Sequence, residues 1–247
     1  MTNLKPIDCI YVINLECRPD KWERMNNLFL EEDKHATRFI GVDGFDLSID
    51  DQLLLTNGNP LNLSPGQIGC FLSHLSVYQH AFEHEFNYIW ICEDDLVLVS
   101  DLERIPELIN ELNLRDPDWD VLYTDRESIG FDGRPFPERT LYLDPDRMDD
   151  TLYFLKKFKR KTISKNIQKL GLRFGAYSYI VSKKGIQKYI NHFANRRIYS
   201  PLDAEMHYIK GLNEYCVKKD IAIHWFNTPY SDTNRREKAE GKNRNLP

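Results

Sequence analysis

Several features are scarce in this 247-residue sequence, and each scarcity excludes a class of protein. No apolar run approaches the roughly 20 residues that a membrane-spanning helix needs. The first residues lack a positively charged stretch followed by a long apolar one, so no secretory signal is predicted. Positive charge is not in excess, since the formal net charge is -5, and we expect no nucleic-acid partner. These absences predict a cytoplasmic protein.

Cysteine is also sparse. The five cysteines form an odd set without a C-x-x-C pair, and Cys9 and Cys92 lie in apolar runs. This usage favours reduced thiols that pack in the interior over a disulfide framework or a zinc site.

Strand and helix patterns alternate from the start of the chain. Cys9 to Leu15 is an apolar run typical of a strand buried on both faces. A helical pattern follows Pro19, and Ala36 to Gly44 is typical of a second strand. A strand-helix-strand unit favours a parallel sheet, so we predict an α/β fold. With no repeat or linker, residues 1–230 are predicted to form a single domain, followed by a polar C-terminal tail at 231–247.

Three acids interrupt the most apolar part of the sequence. In "YIWICEDDLVLV", Glu93, Asp94 and Asp95 directly follow a predicted buried strand. Parallel strands deliver their functional groups to a crevice at their C-terminal ends. Adjacent carboxylates repel, and a divalent cation such as Mn²⁺ or Mg²⁺ would remove that conflict while bridging to a diphosphate. The alternative is a solvated acidic turn. The lack of Gly, Pro or Asn there, and the apolar flanks, favour the metal site.

Polar residues near the first strand form a second group of candidates. Asn14 ends that strand, and Arg18 and Arg24 follow within two helical turns. These side chains could contact a nucleotide base, ribose or phosphate, or the two arginines could be ordinary surface charges of a helix. No G-x-G-x-x-G motif follows the strand, so a dinucleotide cofactor is not expected.

The remaining candidates each have a structural alternative. Ser73 and His74 lie in a helix that Ser64 is predicted to cap, near its apolar stripe, where a core-edge role is the alternative. Asp203 is predicted to lie in a first helical turn. It could be a general base or a ligand of the acceptor, or it could simply interact favourably with the helix dipole. His224 ends an apolar strand. It could be a metal ligand or an ordinary residue at the end of a strand.

A basic run occupies residues 154–171. It has seven basic residues and no acid, interleaved with Phe, Ile and Leu. Two interpretations remain open: contact with an anionic acceptor or membrane surface, and a solvated, mobile face.

Several segments together resemble glycosyltransferase family 25, the group of lipooligosaccharide and procollagen galactosyltransferases. A G-x-I-G-C-x-x-S-H helix followed by a strand that ends in E-D-D carries most of the resemblance. The matching segments, in the family's order, are "VINLECRPDKWERM", "FIGVDG", "SPGQIGCFLSHLSVY", "ICEDDLVL", "GAYSYIVSKKGIQKYI" and "PLDAEM".

The resemblance implies a GT-A-like fold, with a Rossmann-type, mostly parallel central sheet flanked by helices. It also implies a UDP-sugar donor, Mn²⁺ (or Mg²⁺), and an acidic triplet standing in for a D-x-D motif, with Asp95 as the direct metal ligand. The candidate residues are Asp203 and Asp94 for catalysis; Asn14, Arg18, Arg24, Asp43, Ser73, His74 and Glu93 for the nucleotide sugar; and Asp95, Asp94 and His224 for the metal.

The leading hypothesis is therefore an inverting, metal-dependent transfer of galactose or glucose from a UDP-sugar to a hydroxyl of a surface glycan such as lipooligosaccharide. The acceptor would be reached at the inner face of a membrane, through peripheral contact. Two alternatives are kept: a metal-dependent phosphohydrolase, against which the missing D-x-D-x-[TV] signature counts, and a non-catalytic glycan-binding protein.

Overall fold

The computed structural model describes residues 4–56, 63–126, 160–170, 173, 175–194, 196–224 and 232. The described part contains one large sheet, one two-stranded sheet and six α-helices. Apart from Asp232, the predicted tail at 231–247 lies outside the described residues, as does the start of the basic run at 154–159.

The chain begins with the predicted strand-helix-strand unit. Strand β1 spans Cys9–Asn14, helix α1 spans Pro19–Glu31 and strand β2 spans Thr37–Ile40. The two strands pair in parallel. Tyr11 and Val12 are adjacent in sequence and both fully buried, so β1 is covered on both faces, as its unbroken apolar run predicts.

Eight strands form the large sheet in the order β2-β1-β3-β8-β5-β9-β7-β6. Only β8 and β7 run antiparallel to their neighbours, so six strands point the same way. The predicted α/β fold with a mostly parallel sheet is confirmed. The bounds of the six further strands are Tyr88–Glu93 (β3), Val121–Tyr123 (β5), Lys161–Thr162 (β6), Ile167–Lys169 (β7), Ser178–Ser182 (β8) and Glu214–Val217 (β9).

Helices cover both faces of this sheet. Alternate residues of β3 point to opposite sides: Ile89 and Ile91 join a core with α3, whereas Trp90 joins a core with α1 and α4. The remaining helices are Ile49–Leu55 (α2), Pro65–Glu83 (α3), Arg104–Arg115 (α4), Lys183–Phe193 (α5) and Leu202–Met206 (α6), with a 3-10 turn at Gly44–Asp46.

Helix α3 starts as its sequence predicts. Ser64 accepts from the backbone N–H of Gln67, and the Gln67 side chain accepts from the backbone N–H of Ser64, which completes a capping box. One turn later, Gly69 meets the 3-10 turn. A Cβ on Gly69 would lie 2.5 Å from both the nitrogen of Gly44 and the carbonyl oxygen of Val42, so only glycine fits this approach.

A second, two-stranded sheet begins directly after the acids. Strand β4 spans Leu96–Leu98 and pairs antiparallel with β10, which spans Ala222–His224. This pairing brings His224 beside the acidic triplet.

Two further segments complete the described fold. The described part of the basic run forms a hairpin, β6 and β7, at the edge of the sheet. Helix α6 has Pro201 as its N-cap, and the hydroxyl of the preceding Ser200 donates to the buried carboxylate of Glu205. Among the described residues, none of the helices has the length and apolar character to cross a membrane.

Candidate active site

A cleft opens where β1 and β3 end. These neighbouring parallel strands mark the place where the chain's strand order reverses, because β2 lies on one side of β1 and β3 on the other. Ligands of open α/β sheets bind at such points. The cleft is lined by Ile13, Asn14, Leu15, Val42, Asp43, Gly44, Phe45, Gly66, Cys70, Ser73, His74, Glu93, Asp94 and Asp232.

The acidic triplet lies in a turn, but the turn is not solvated. Glu93 is the last residue of β3, and Asp94 and Asp95 connect it to β4. The two aspartates are 9% and 7% exposed. Arg24 donates to the carbonyl oxygens of Asp94 and Leu96, both at 2.8 Å, so this predicted nucleotide ligand holds the turn in place.

Asp94 lies at the inner wall of the cleft between an amide and an ammonium group. Its Oδ2 accepts from the Nδ2 of Asn14 at 2.6 Å, and its Oδ1 is 3.1 Å from the Nζ of Lys21. Burial raises the pKa of Asp94 to about 6, although Lys21 and Asn14 act in the opposite direction. Asn14 is itself fixed by Arg38, whose Nε donates to its Oδ1.

Asp95 pairs with the predicted histidine. The Nε2 of His224 is 3.1 Å from the Oδ2 of Asp95. Burial by itself would raise the pKa of Asp95, but His224, Lys21 and Arg24 together outweigh burial and lower it. Burial likewise opposes the charge on His224, whereas Asp95 and Glu93 raise the pKa of its imidazole. Two of the predicted metal ligands are therefore in direct contact.

The other carboxylate oxygen of Asp95 fits a cation. Within the described part of the chain, Asp95 Oδ1 is buried and has no hydrogen-bond partner. A buried, ionised oxygen without a donor is costly, and a divalent cation would satisfy it. Asp95 and its neighbour Asp94 supply the hard oxygen ligands that Mn²⁺ and Mg²⁺ prefer. The residues present therefore fit the implied metal.

Two cations at the start of α1 share a carboxylate. Arg18 binds Asp232 through its Nη1 at 2.6 Å, and Lys21 Nζ lies 2.6 Å from the same side chain. Burial lowers the pKa of Lys21, but Asp94 and Asp232 more than compensate, so its ammonium stays charged. Lys21 and Asp232 are not among the residues predicted from the sequence. Neither residue carried a distinguishing signal in the sequence, because each follows the pattern of an ordinary surface charge.

Helix α3 supplies the opposite wall. The Ser73 hydroxyl accepts from the backbone N–H of Val42 at 2.8 Å and donates to the Gly69 carbonyl at 2.6 Å, so it ties a loop to the helix. His74 is fully buried, and its Nε2 lies 3.3 Å from the Oε1 of Glu93. Both predicted candidates line the cleft, and each also makes a contact that holds neighbouring parts of the fold together.

Of the last two candidates, one lines the cleft and the other does not. Asp43 lines the cleft and caps the 3-10 turn, accepting from the backbone N–H of Phe45 at 3.1 Å. Asp203 is outside the cleft lining, where it accepts from the backbone N–H groups of Gly175 and Ala204 at 2.7 and 2.9 Å. Of the eleven predicted residues, the cleft lining collects Asn14, Asp43, Ser73, His74, Glu93 and Asp94, but not Arg18, Arg24, Asp95, Asp203 or His224.

Comparison with known families identifies the family of the chain. The family model described as "Glycosyltransferase family 25 (LPS biosynthesis protein)" matches residues 7–206, a range that holds both strands and the acidic triplet. The chain belongs to glycosyltransferase family 25. The resemblance inferred from the sequence motifs is thereby confirmed.

Curated relatives cover part of the chain. Mouse procollagen galactosyltransferase 2 is 28% identical over 132 residues, which are 49% of this chain and 21% of that protein. Human "inactive glycosyltransferase 25 family member 3" is also 28% identical over 132 residues, 49% of this chain and 22% of that protein. The matches thus span about a fifth of the length of these relatives.

One solved structure covers nearly the whole chain. It is described as a glycosyltransferase involved in the glycosylation of the major capsid of PBCV-1. It covers 94% of this chain and 99% of its own, with a TM-score of 0.43 and 11% identity.

Proposed function

We propose that this family 25 chain is a glycosyltransferase that moves a hexose, galactose or glucose, from a UDP-sugar to a hydroxyl of a glycan. The observation that carries the proposal is the buried Asp95 oxygen without a donor, beside a cleft at the C-terminal ends of β1 and β3. Family membership and the galactosyltransferase relatives support the reaction class.

The charges around the cleft suit a nucleoside diphosphate as leaving group. A divalent cation on Asp94 and Asp95 would neutralise negative charge that develops on the diphosphate as the sugar departs. Arg18 and Lys21 already hold one anionic group, the carboxylate of Asp232, at this place. The same two cations can bind phosphate oxygens by the same kind of charge-assisted hydrogen bond.

Two carboxylates can serve as the general base. Asp94 lines the cleft and could accept a proton from an acceptor hydroxyl if the cation is held by Asp95. Asp203 accepts from the backbone N–H groups of Gly175 and Ala204 and lies outside the cleft lining. A single displacement at the anomeric carbon, with one of these acids as base, would invert the configuration.

The acceptor is proposed to be a surface glycan such as lipooligosaccharide. It would be reached at the cytoplasmic face of a membrane. The hairpin of β6 and β7, with Lys161 and Lys169 paired across it, is the described part of the basic run that would contact anionic lipid. Sedimentation with anionic vesicles tests this, because a chain that stays wholly in the supernatant would exclude membrane contact.

The test of the reaction is a screen of UDP-sugars with and without Mn²⁺. Calorimetry should show Mn²⁺-dependent UDP binding, and the best donor should then be consumed faster when glycan acceptors are added. Asp95→Asn should abolish both effects, whereas Asp50→Asn, at an exposed position of α2, should leave them unchanged. No heat with UDP and Mn²⁺, or an unchanged Asp95→Asn, would refute the proposal.

The same screen separates the two alternative functions. A phosphohydrolase would release inorganic phosphate from simple phosphate esters. A non-catalytic protein would bind a glycan and never consume a donor. One human relative is described as inactive. A transferase should show slow release of UDP alone and rapid release with the acceptor.

A further inference from the structure

A second group of metal-binding atoms lies in the wall that α3 contributes. Cys70 and His74 are four residues apart, so they lie on the same face of the helix. Glu93, at the end of β3, reaches the same place. One ligand atom from each of these three side chains lies within 4.8 Å of the other two.

The spacing of these atoms matches a tetrahedral ion. Zinc bonds of about 2.3 Å to sulfur and about 2.1 Å to nitrogen and oxygen place sulfur and oxygen roughly 3.6 Å apart, and nitrogen and oxygen roughly 3.4 Å apart. The Sγ of Cys70 is 3.7 Å from Glu93 Oε1, and the Nε2 of His74 is 3.3 Å from the same oxygen. Two of the three distances are therefore close to those around a bound ion, and the third, between sulfur and nitrogen, is within 4.8 Å.

The imidazole of His74 is oriented from behind. Its Nδ1 is 2.7 Å from the hydroxyl of Tyr179, and the two rings stack at an interplanar angle of 9°. Tyr179 in turn bonds the hydroxyl of the buried Tyr78. Such a partner on the distal nitrogen fixes the ring of a metal-binding histidine and leaves the other nitrogen for the ion.

One side of the group faces the cleft. His74 is fully buried, whereas Cys70 and Glu93 are partly exposed and line the cleft. A fourth position is therefore open to water or to a ligand in the cleft, as in zinc sites with three protein ligands. Sulfur, nitrogen and oxygen together suit Zn²⁺ or Co²⁺, whereas Mn²⁺ and Mg²⁺ prefer oxygen alone.

We propose that Cys70, His74 and Glu93 form a binding site for one Zn²⁺-class ion, separate from the oxygen ligands of Asp94 and Asp95. Binding exchanges the S–H bond of Cys70 for an S–Zn bond, and the thiol proton passes to solvent. Because Cys70 and Glu93 line the cleft, Zn²⁺ would also compete with the donor. That consequence rests on the proposed function, whereas the binding itself does not.

The experiment is a titration of the metal-free chain with Co²⁺. Wild type should develop an absorption band from thiolate-to-cobalt charge transfer at one equivalent, and one equivalent of Zn²⁺ should remove it. Cys70→Ser should lose the band, whereas Cys17→Ser, at the exposed cysteine, should keep it. Tyr179→Phe should keep the band but weaken cobalt affinity about 10- to 100-fold.

A second measurement does not depend on the variants folding. In wild type, Zn²⁺ should slow alkylation of Cys70, read by mass spectrometry, and leave the alkylation of Cys17 unchanged. No charge-transfer band in wild type, or equal alkylation of Cys70 with and without Zn²⁺, would overturn the proposal.

The outcome is also separable from that of the proposed function. Asp95→Asn should retain the cobalt band while losing Mn²⁺-dependent UDP binding. A chain that binds UDP with Mn²⁺ but gives no cobalt band would refute the zinc site alone. A cobalt band without any UDP binding would refute the proposed function alone.

Discussion

Replacing Asp94 by asparagine should make the metal-free chain more stable at neutral pH. Burial raises the pKa of Asp94 to about 6 in the folded chain, against an ordinary value of 3.8. The folded state therefore favours the neutral acid. Ionised Asp94 therefore lowers the free energy of unfolding. This cost is complete above pH 6 and disappears below the ordinary pKa. Asparagine resembles the neutral acid in shape and carries no charge to desolvate.

The size of the effect follows from the two pKa values. At about 1.4 kcal/mol for each pKa unit, the ionised side chain costs about 3 kcal/mol of folding free energy at pH 8. By the same relation the cost falls to about half near pH 5 and to less than about 1 kcal/mol at pH 4. Asp94 is only 9% exposed, so solvent screening reduces these values little.

The assay is denaturant unfolding of wild type and Asp94→Asn at pH 8, 5 and 4, with EDTA to exclude metal ions. We expect the variant to gain about 3 kcal/mol at pH 8 and to converge with wild type at pH 4. Asp50→Asn, at an exposed position, should change the free energy of unfolding by less than about 0.5 kcal/mol at each pH.

Lys21→Met provides the opposite perturbation. In wild type, the ammonium group of Lys21 lies 3.1 Å from Asp94 and lowers the pKa of that acid. The substitution removes this group. The pKa should then rise further, and the chain should lose stability at pH 8. A constant stability difference between wild type and Asp94→Asn from pH 8 to pH 4 would refute the reasoning, because it would show that the carboxylate is not destabilised by burial.

Three further substitutions test packing around the site by denaturant unfolding. Gly69→Ala should cost about 1–3 kcal/mol, because the added methyl meets the Gly44 backbone and outweighs a gain in helix propensity of about 1 kcal/mol. Ser64→Ala should cost about 1 kcal/mol through the loss of the cap of α3. Trp90→Phe should cost about 2 kcal/mol, since the buried indole N–H donates to Ser178 at 3.0 Å.

One variant serves as the common control for the helix substitutions. Ser76→Ala lies in the interior of α3, where its hydroxyl only donates back to the Leu72 carbonyl at 2.9 Å. It should be neutral or slightly stabilising. If Gly69→Ala behaved like Ser76→Ala, the close contact between α3 and the 3-10 turn would not constrain the chain.

The fold was predictable where local patterns and sheet rules agree. The unbroken apolar run of β1 and the capping box at Ser64 are both local, and both occur as predicted. The orientation of β8 was not predictable, since its five buried residues could pair in either direction. The hairpin of β6 and β7 was not predicted, because its lysine-rich sequence lacks an apolar strand pattern. Lysine is nevertheless common at the exposed edges of sheets.

The site was predictable as a list of residue types but not as an arrangement. The contact between Asp95 and His224 joins residues 129 apart in sequence, through the pairing of β4 with β10. Lys21 was missed because its charge is indistinguishable in sequence from a surface lysine of α1. Only the structure shows that it is 7% exposed and faces Asp94.

Glu93 decides whether the two proposed cation sites act independently. It follows Cys92 in β3 and precedes Asp94, so its side chain points toward α3 while the next two acids turn toward α1 and β10. The two proposed cation sites therefore take ligands from consecutive residues, Glu93 for one and Asp94 for the other. A Glu93→Gln variant should keep Mn²⁺-dependent UDP binding within a few-fold, because Asp95 remains, but weaken Co²⁺ binding by at least about tenfold. Equal loss of both would show that the cleft holds one shared metal site.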